Sequence, residues 1–171
     1  ITYSYSNGYL KMLNTADYVL VGRDFITQSQ HSHENMLKAG TLEVKGNFTQ
    51  STYSNNFKAS GTHKVILSGE AAQKISFYSS AYSCFNILGI TNTSEAGVDF
   101  STKALVAGEL KQTSSSITRS SNIALASSAA INWDRWAYGI TFEGMRTLER
   151  YTIIEGNLYI NNGLTLNGYD L

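Results

Sequence analysis

The 171-residue sequence predicts an all-β fold, a parallel β-helix (β-solenoid) with coils of about 23 residues, and three observations carry that prediction. Aliphatic residues recur at a fixed interval: Val19, Leu42, Val65 and Leu88 form one column, and Val21, Val44, Leu67 and Ile90 form a second column two places on. Within each repeat apolar and polar residues alternate, so Leu42 and Val44 fall on one face of a strand while Glu43 and Lys45 fall on the other. A third column, Arg23, Gly46, Gly69 and Asn92, closes each aliphatic pair with a turn. A constant period of roughly 20 to 50 residues enclosing such alternation marks a stack of repeats, because one repeat is too small to bury its own apolar face. The chain contains no proline, which agrees, since every interior rung must donate its backbone N–H to a neighbour. An antiparallel β-sandwich is the alternative reading of the alternating runs, but it supplies no reason for a constant step.

Taken in order, residues 8–13 and 17–28 read as short strands rich in β-branched and aromatic side chains, and residues 29–35 as a polar loop. A second coil starts near Gly40, a third near Gly61 with its far side at residues 73–77, and a fourth near Phe85. Phe25 and Phe48 keep the step of the aliphatic columns, which then lapses at Ala71. Val98, Phe100, Leu105, Val106 and Gly108 alternate but fall short of the next multiple, which predicts a shortened coil. The Ser/Thr-biased residues 113–121 read as a turn or loop. Near the end, Ile140, Phe142 and Gly144 are matched 24 residues later by Leu164, Leu166 and Gly168, with Thr152, Ile154 and Gly156 midway. That rhythm predicts two strands per coil with a half-step of 12.

Charge and composition bound the partners. Thirteen basic residues balance thirteen acidic ones, so the chain lacks the basic excess that phosphates or anionic lipid surfaces demand, and neither nucleic acid nor a membrane is expected as a partner. Charged residues make up only 15% of the chain; its polarity comes from Ser, Thr, Asn and Gln, a profile suited to a neutral extracellular β-protein. Cys84 is the only cysteine, which rules out an internal disulfide and reads as a small buried side chain. No apolar run reaches the roughly 18 residues that a spanning helix needs. One domain of this length can bury a sizeable core, and the alternating pattern at the C-terminus predicts a piece of a larger surface protein.

Several segments resemble repeats of bacterial cell-surface proteins, the filamentous-haemagglutinin-like stacks of secreted adhesins and the large surface proteins of gut Firmicutes. The residues that carry the resemblance are 42–48, 61–69 with 73–76, 85–92 and 163–168. It implies a right-handed parallel β-helix, a location at the bacterial cell surface, and a role in adhesion or display with glycan or a host surface protein as partner. It carries over no catalytic residues. Arg23, at a glycine position of the repeat, and the irregular residues 121–138 depart from the pattern.

The most unusual stretch holds Trp133, Asp134, Arg135, Trp136 and Tyr138. Flat aromatic faces stack on the C–H faces of sugars while Asp and Arg bond hydroxyls, so these residues are the expected glycan contacts; the competing reading is a core-lining or capping loop. His31 and His33, with Glu34 beside them, have the spacing of a divalent metal site on an extended segment, against the plainer reading of a solvated loop. No Asp-rich calcium loop is present, and neither a cofactor nor a resident metal is expected. Glu143 and Glu155 are the one carboxylate pair that glycosidase chemistry could use, and a polysaccharide-degrading enzyme or a purely structural solenoid spacer is the alternative to a non-catalytic binding module. The outward column Leu20, Glu43, Ile66 and Gly89 is a docking patch if exposed. An uncapped stack of coils also offers unpaired ends, so end-to-end self-association is expected.

Overall fold

The computed structural model describes residues 7–51, 55–112, 115–132, 135–136, 140–142, 145–148, 153–154 and 157–171, with backbone alone at 112, 131–132, 135–136, 140 and 153–154. The early coils each contribute two strands: β1 (Tyr18–Val21) and β2 (Phe25–Thr27), β3 (Thr41–Val44) and β4 (Phe48–Gln50), β5 (Lys64–Leu67) and β6 (Gln73–Phe77), β7 (Cys84–Ile90) and β8 (Val98–Phe100), β9 (Ala104–Gln112) and β10 (Ile117–Thr118). After a 3-10 turn at Ser120–Asn122 come β11 (Ile123–Leu125), β12 (Ala130–Asn132), β13 (Arg135–Trp136), β14 (Ile140–Phe142), β15 (Arg146–Thr147), β16 (Ile153–Ile154), β17 (Leu158–Ile160) and β18 (Leu164–Thr165). One long sheet runs β1-β3-β5-β7-β9-β11-β14-β17, with β12 also on β9, and a second runs β2-β4-β6-β8-β10. Every strand pairing is parallel. The fold is therefore a β-solenoid, and the antiparallel sandwich does not apply.

The predicted columns stack in register. Val19 lies beside Leu42, Leu42 beside Val65 and Val65 beside Leu88; Val21, Val44, Leu67 and Ile90 do the same. From Leu42 and Val44 onward these side chains are sealed from solvent. A third side is marked by single bridges, Met12 to Leu37, Leu37 to Ala59 and Lys58 to Cys84. Between the sides sits an aromatic cluster: Phe48 stacks on Phe25 at 5.1 Å and on Phe77 at 5.5 Å, and meets Phe57 and Phe85 edge-on at 4.9 Å.

The corner between the two sheets explains the turn column. A Cβ on Gly46 would lie 2.4 Å from the backbone of Arg23, and one on Gly69 would lie 2.5 Å from the Lys45 carbonyl, so the rung beneath excludes any side chain. Arg23 itself sits on the first rung of the sheet, with no described rung beneath it, and that is why the pattern tolerates it there. Amide side chains tie successive corners together. Asp24 accepts the Asn47 N–H at 2.7 Å, Asn47 accepts the Lys74 N–H at 2.8 Å, and Gln73 donates to the carbonyls of Val44 and Gly46 at 3.0 and 2.6 Å. Buried corner polar groups are thereby satisfied instead of left as a penalty.

The 23-residue step of the Phe25–Phe48 column does lapse at Ala71, and the column continues at Ile75 and Phe100, because extra residues before β6 displace the step without breaking the stack. Two local expectations need correction. The C-terminal rhythm of 24 with a half-step of 12 is not the coil length. Ile140 pairs with Leu158, Arg135 with Ile153 and Arg146 with Leu164, a step of 18 carried on three sides of roughly six residues each. Two sides therefore span about 12 residues and four span about 24, so the apparent repeat was a multiple of the side and not of the turn. Finally, residues 113–121 are not wholly a loop, since Ile117–Thr118 form β10 on Val98–Asp99.

Candidate functional site

Residues of the last coils on the face opposite the core line a concave surface. Leu105, Ala124, Thr141 and Tyr159 are successive register partners on β9, β11, β14 and β17, alternating with the core residues Ala104, Val106, Ile123, Leu125 and Phe142; Tyr159 is exposed and Leu105 half-buried, whereas Ala124 and Thr141 lie covered at the bottom of the column. The short Ala124 between Leu105 and Thr141 leaves a depression in this column. A hollow of about 290 Å³ forms over it, walled on the far side by Ser80 and Ala81 of the turn after β6. A second hollow of about 310 Å³ is lined by Lys103, Ser121, Asn122, Thr141, Tyr159 and Asn161. Lys103 lines both, so the two hollows adjoin along the stack.

Local structure holds the polar groups in place. Arg119 adopts a left-handed conformation (φ 50°) that opens the 3-10 turn, and both it and Thr118 contact the Asp99 carboxylate. That turn delivers Ser121 and Asn122. Asn122 donates its amide N–H to the Phe100 carbonyl at 2.7 Å, which fixes the side chain. Thr141 donates to the Ser121 carbonyl at 2.5 Å, and the Tyr159 hydroxyl accepts from Asn157 at 3.2 Å. Tyr159, which lines the second hollow, keeps 46% of its surface exposed. Tyr78 and Tyr82, both exposed, flank Ser80 and Ala81 in sequence at the other end. The arrangement offers an aromatic platform, hydroxyl and amide hydrogen-bonding groups and one cation, and no carboxylate among the described lining residues.

Of the residues expected to contact glycan, Trp133, Asp134 and Tyr138 lie outside the described residues. Arg135 and Trp136 belong to β13, paired with Ile153 and Ile154 of β16 on one side of a coil. Glu143 and Glu155 also lie outside the described residues. The structure does not gather His31, His33 and Glu34. Their segment is a turn: the Ser29 hydroxyl accepts the His31 N–H, the Ser32 hydroxyl accepts the Glu34 N–H, and Asn35 has φ 64°. Strand alternation therefore fails there. His33 is buried, His31 packs against Tyr9 at 5.4 Å, and Glu34 points outward to Lys58 at 2.7 Å. Among the described residues no three His, Cys, Asp or Glu side chains converge as metal ligands.

The interior holds two imidazoles, His33 of that turn and His63. Burial holds His33 below its usual range, partly offset by the nearby backbone of Gly8 and Asn56. Burial alone depresses His63 to about 4, where it packs edge-on against Phe57 at 6.0 Å. Both are neutral core residues. The column Leu20, Glu43, Ile66 and Gly89 grades from exposed to buried along the stack, and Glu43 is engaged by Ser68 at 2.6 Å and by Tyr18 at 2.5 Å. Those bonds hold the Glu43 carboxyl below its ordinary range and raise the Tyr18 phenol.

Register explains why the groove escaped the sequence. Its column advances by 19, 17 and then 18 residues, so no constant period aligns Leu105, Ala124, Thr141 and Tyr159. No helix among the described residues is long and apolar enough to cross a membrane. No protein-family model matches the chain, and neither a curated protein nor a solved structure matches it.

Proposed function

We propose that this chain is a non-catalytic, extracellular binding and adhesion module of a bacterial surface protein, and that it holds glycan in the groove along β9, β11, β14 and β17. The observation that carries this reading is the exposed ring of Tyr159 standing beside hydroxyl and amide groups in a concave surface. Sugars present apolar C–H faces and a dense array of hydroxyls, and sites that capture them pair a flat aromatic with fixed polar groups. The hollow of about 310 Å³ falls at the small end of ligand-site volumes, as befits an open surface groove. The neutral charge balance and the resemblance to surface-protein repeats support the extracellular setting.

Retention on a panel of immobilised bacterial, plant and host polysaccharides tests the reading, with Tyr159→Ala as the diagnostic variant. We expect the wild-type chain to be retained on at least one glycan and the variant to elute unretained with an unchanged melting temperature. Retention on none, or equal retention of both proteins, would overturn it.

A further inference from the structure

Resting on that glycan reading, we infer that the two hollows sharing Lys103 are consecutive subsites for one oligosaccharide chain lying parallel to the solenoid axis, so the ligand is an internal stretch of polysaccharide and not a single terminal sugar. Leu105, Ala124, Thr141 and Tyr159 are partners on four adjacent strands. Three inter-strand steps of about 4.8 Å span about 14 Å, enough for roughly three pyranose rings end to end. The hollows occupy opposite stretches of that line, one over Leu105 and Ala124, the other over Thr141 and Tyr159. Their linings also differ in kind. Leu105, Ala81 and Ala124 make the first hollow mainly apolar, suited to a C–H face, whereas Ser121, Asn122, Thr141 and Asn161 surround the second with hydrogen-bonding groups. A chain threaded along the stack would meet the apolar floor with one ring and the polar wall and Tyr159 with the next. The small side chain at position 124 is the structural condition for this, because any larger residue there would fill the first hollow.

Titration calorimetry with the cello-, xylo- and manno-oligosaccharide series, from monosaccharide to tetrasaccharide, tests the inference. The line of about 14 Å holds roughly three rings, one over each hollow and one between, so we expect affinity for the best series to rise from monosaccharide to trisaccharide and then level off. Ala124→Leu should cancel the rise while leaving monosaccharide binding at Tyr159 intact. Ser80→Leu fills the same hollow from the opposite wall without altering a strand, and it should act alike if Ala124→Leu does not fold. An affinity that is flat across chain length, or a trisaccharide affinity unchanged in a folded variant that fills the first hollow, would overturn the inference and leave the glycan reading standing. Failure of every sugar to bind, with no retention on the polysaccharide panel, would remove both.

Discussion

Acid should loosen this solenoid well above the range in which carboxylates titrate, because His63 has no solvent exposure and no hydrogen-bond partner among the described residues. Its folded-state pKa is about 4 against an ordinary 6.5, with burial as the cause. The unfolded chain therefore takes up a proton that the folded chain refuses, and stability falls as pH drops from 6.5 toward 4. The interval of 2.5 units corresponds to about 3 kcal/mol, a large share of the roughly 5 to 15 kcal/mol by which a domain is stable. His33 is depressed in the same direction for the same reason and adds to the loss. The carboxyls of Asp17 and Glu43 are also held below their ordinary range, and their loss sets in mainly below about pH 5, so the upper part of the window reads the imidazoles. Urea unfolding of the wild-type chain and of His63→Leu, followed by circular dichroism at several pH values between 7.5 and 4.5, reads the slope directly. We expect the variant to lose most of that slope. Equal pH dependence in the two proteins would refute the argument that a neutral, buried imidazole sits at this point of the core.

Two further outcomes follow from the stack. Gly69→Ala should destabilise strongly because its Cβ would lie 2.5 Å from the Lys45 carbonyl, whereas Gly22→Ala, with nothing within 4 Å, should leave the melting temperature within a few degrees of the wild type. Ile160, the register partner of the fully buried Phe142, is 45% exposed on the last rung, so the chain should self-associate with rising concentration in sedimentation, and Ile160→Lys should restore a concentration-independent monomer.

The first four coils were legible in the sequence because their long-sheet rungs recur at one constant interval, and a constant interval is visible without knowing where the strands lie. Legibility stopped where that constancy stopped. Extra residues before β6 hid the partnership of Phe48 with Ile75. The step from β7 to β9 falls short of 23 and itself changes at the register shift between Phe85 and Ile87, and the later rungs advance by unequal amounts. In the last coils a side of roughly six residues makes several multiples look like repeats, so Ile140 and Leu164 fall in one apparent period although they stand on different sides. The groove suffered most, since it exists only where Ala124 falls between Leu105 and Thr141. Strand alternation also misread His33, because a turn, and not a strand, sets the direction of its side chain.

The central claim is that outward residues of consecutive coils climb one parallel ladder. Tyr18, Thr41, Lys64, Ile87, Glu109 and Ala130 are successive register partners, so spin labels at Tyr18 and Glu109 should lie about 19 Å apart and labels at Tyr18 and Ala130 about 24 Å apart. Pulsed electron resonance on the two doubly labelled chains, with the buried Cys84 replaced by Ser, measures both separations. The account predicts that the second distance exceeds the first by one inter-strand step; a second distance equal to or shorter than the first would contradict it.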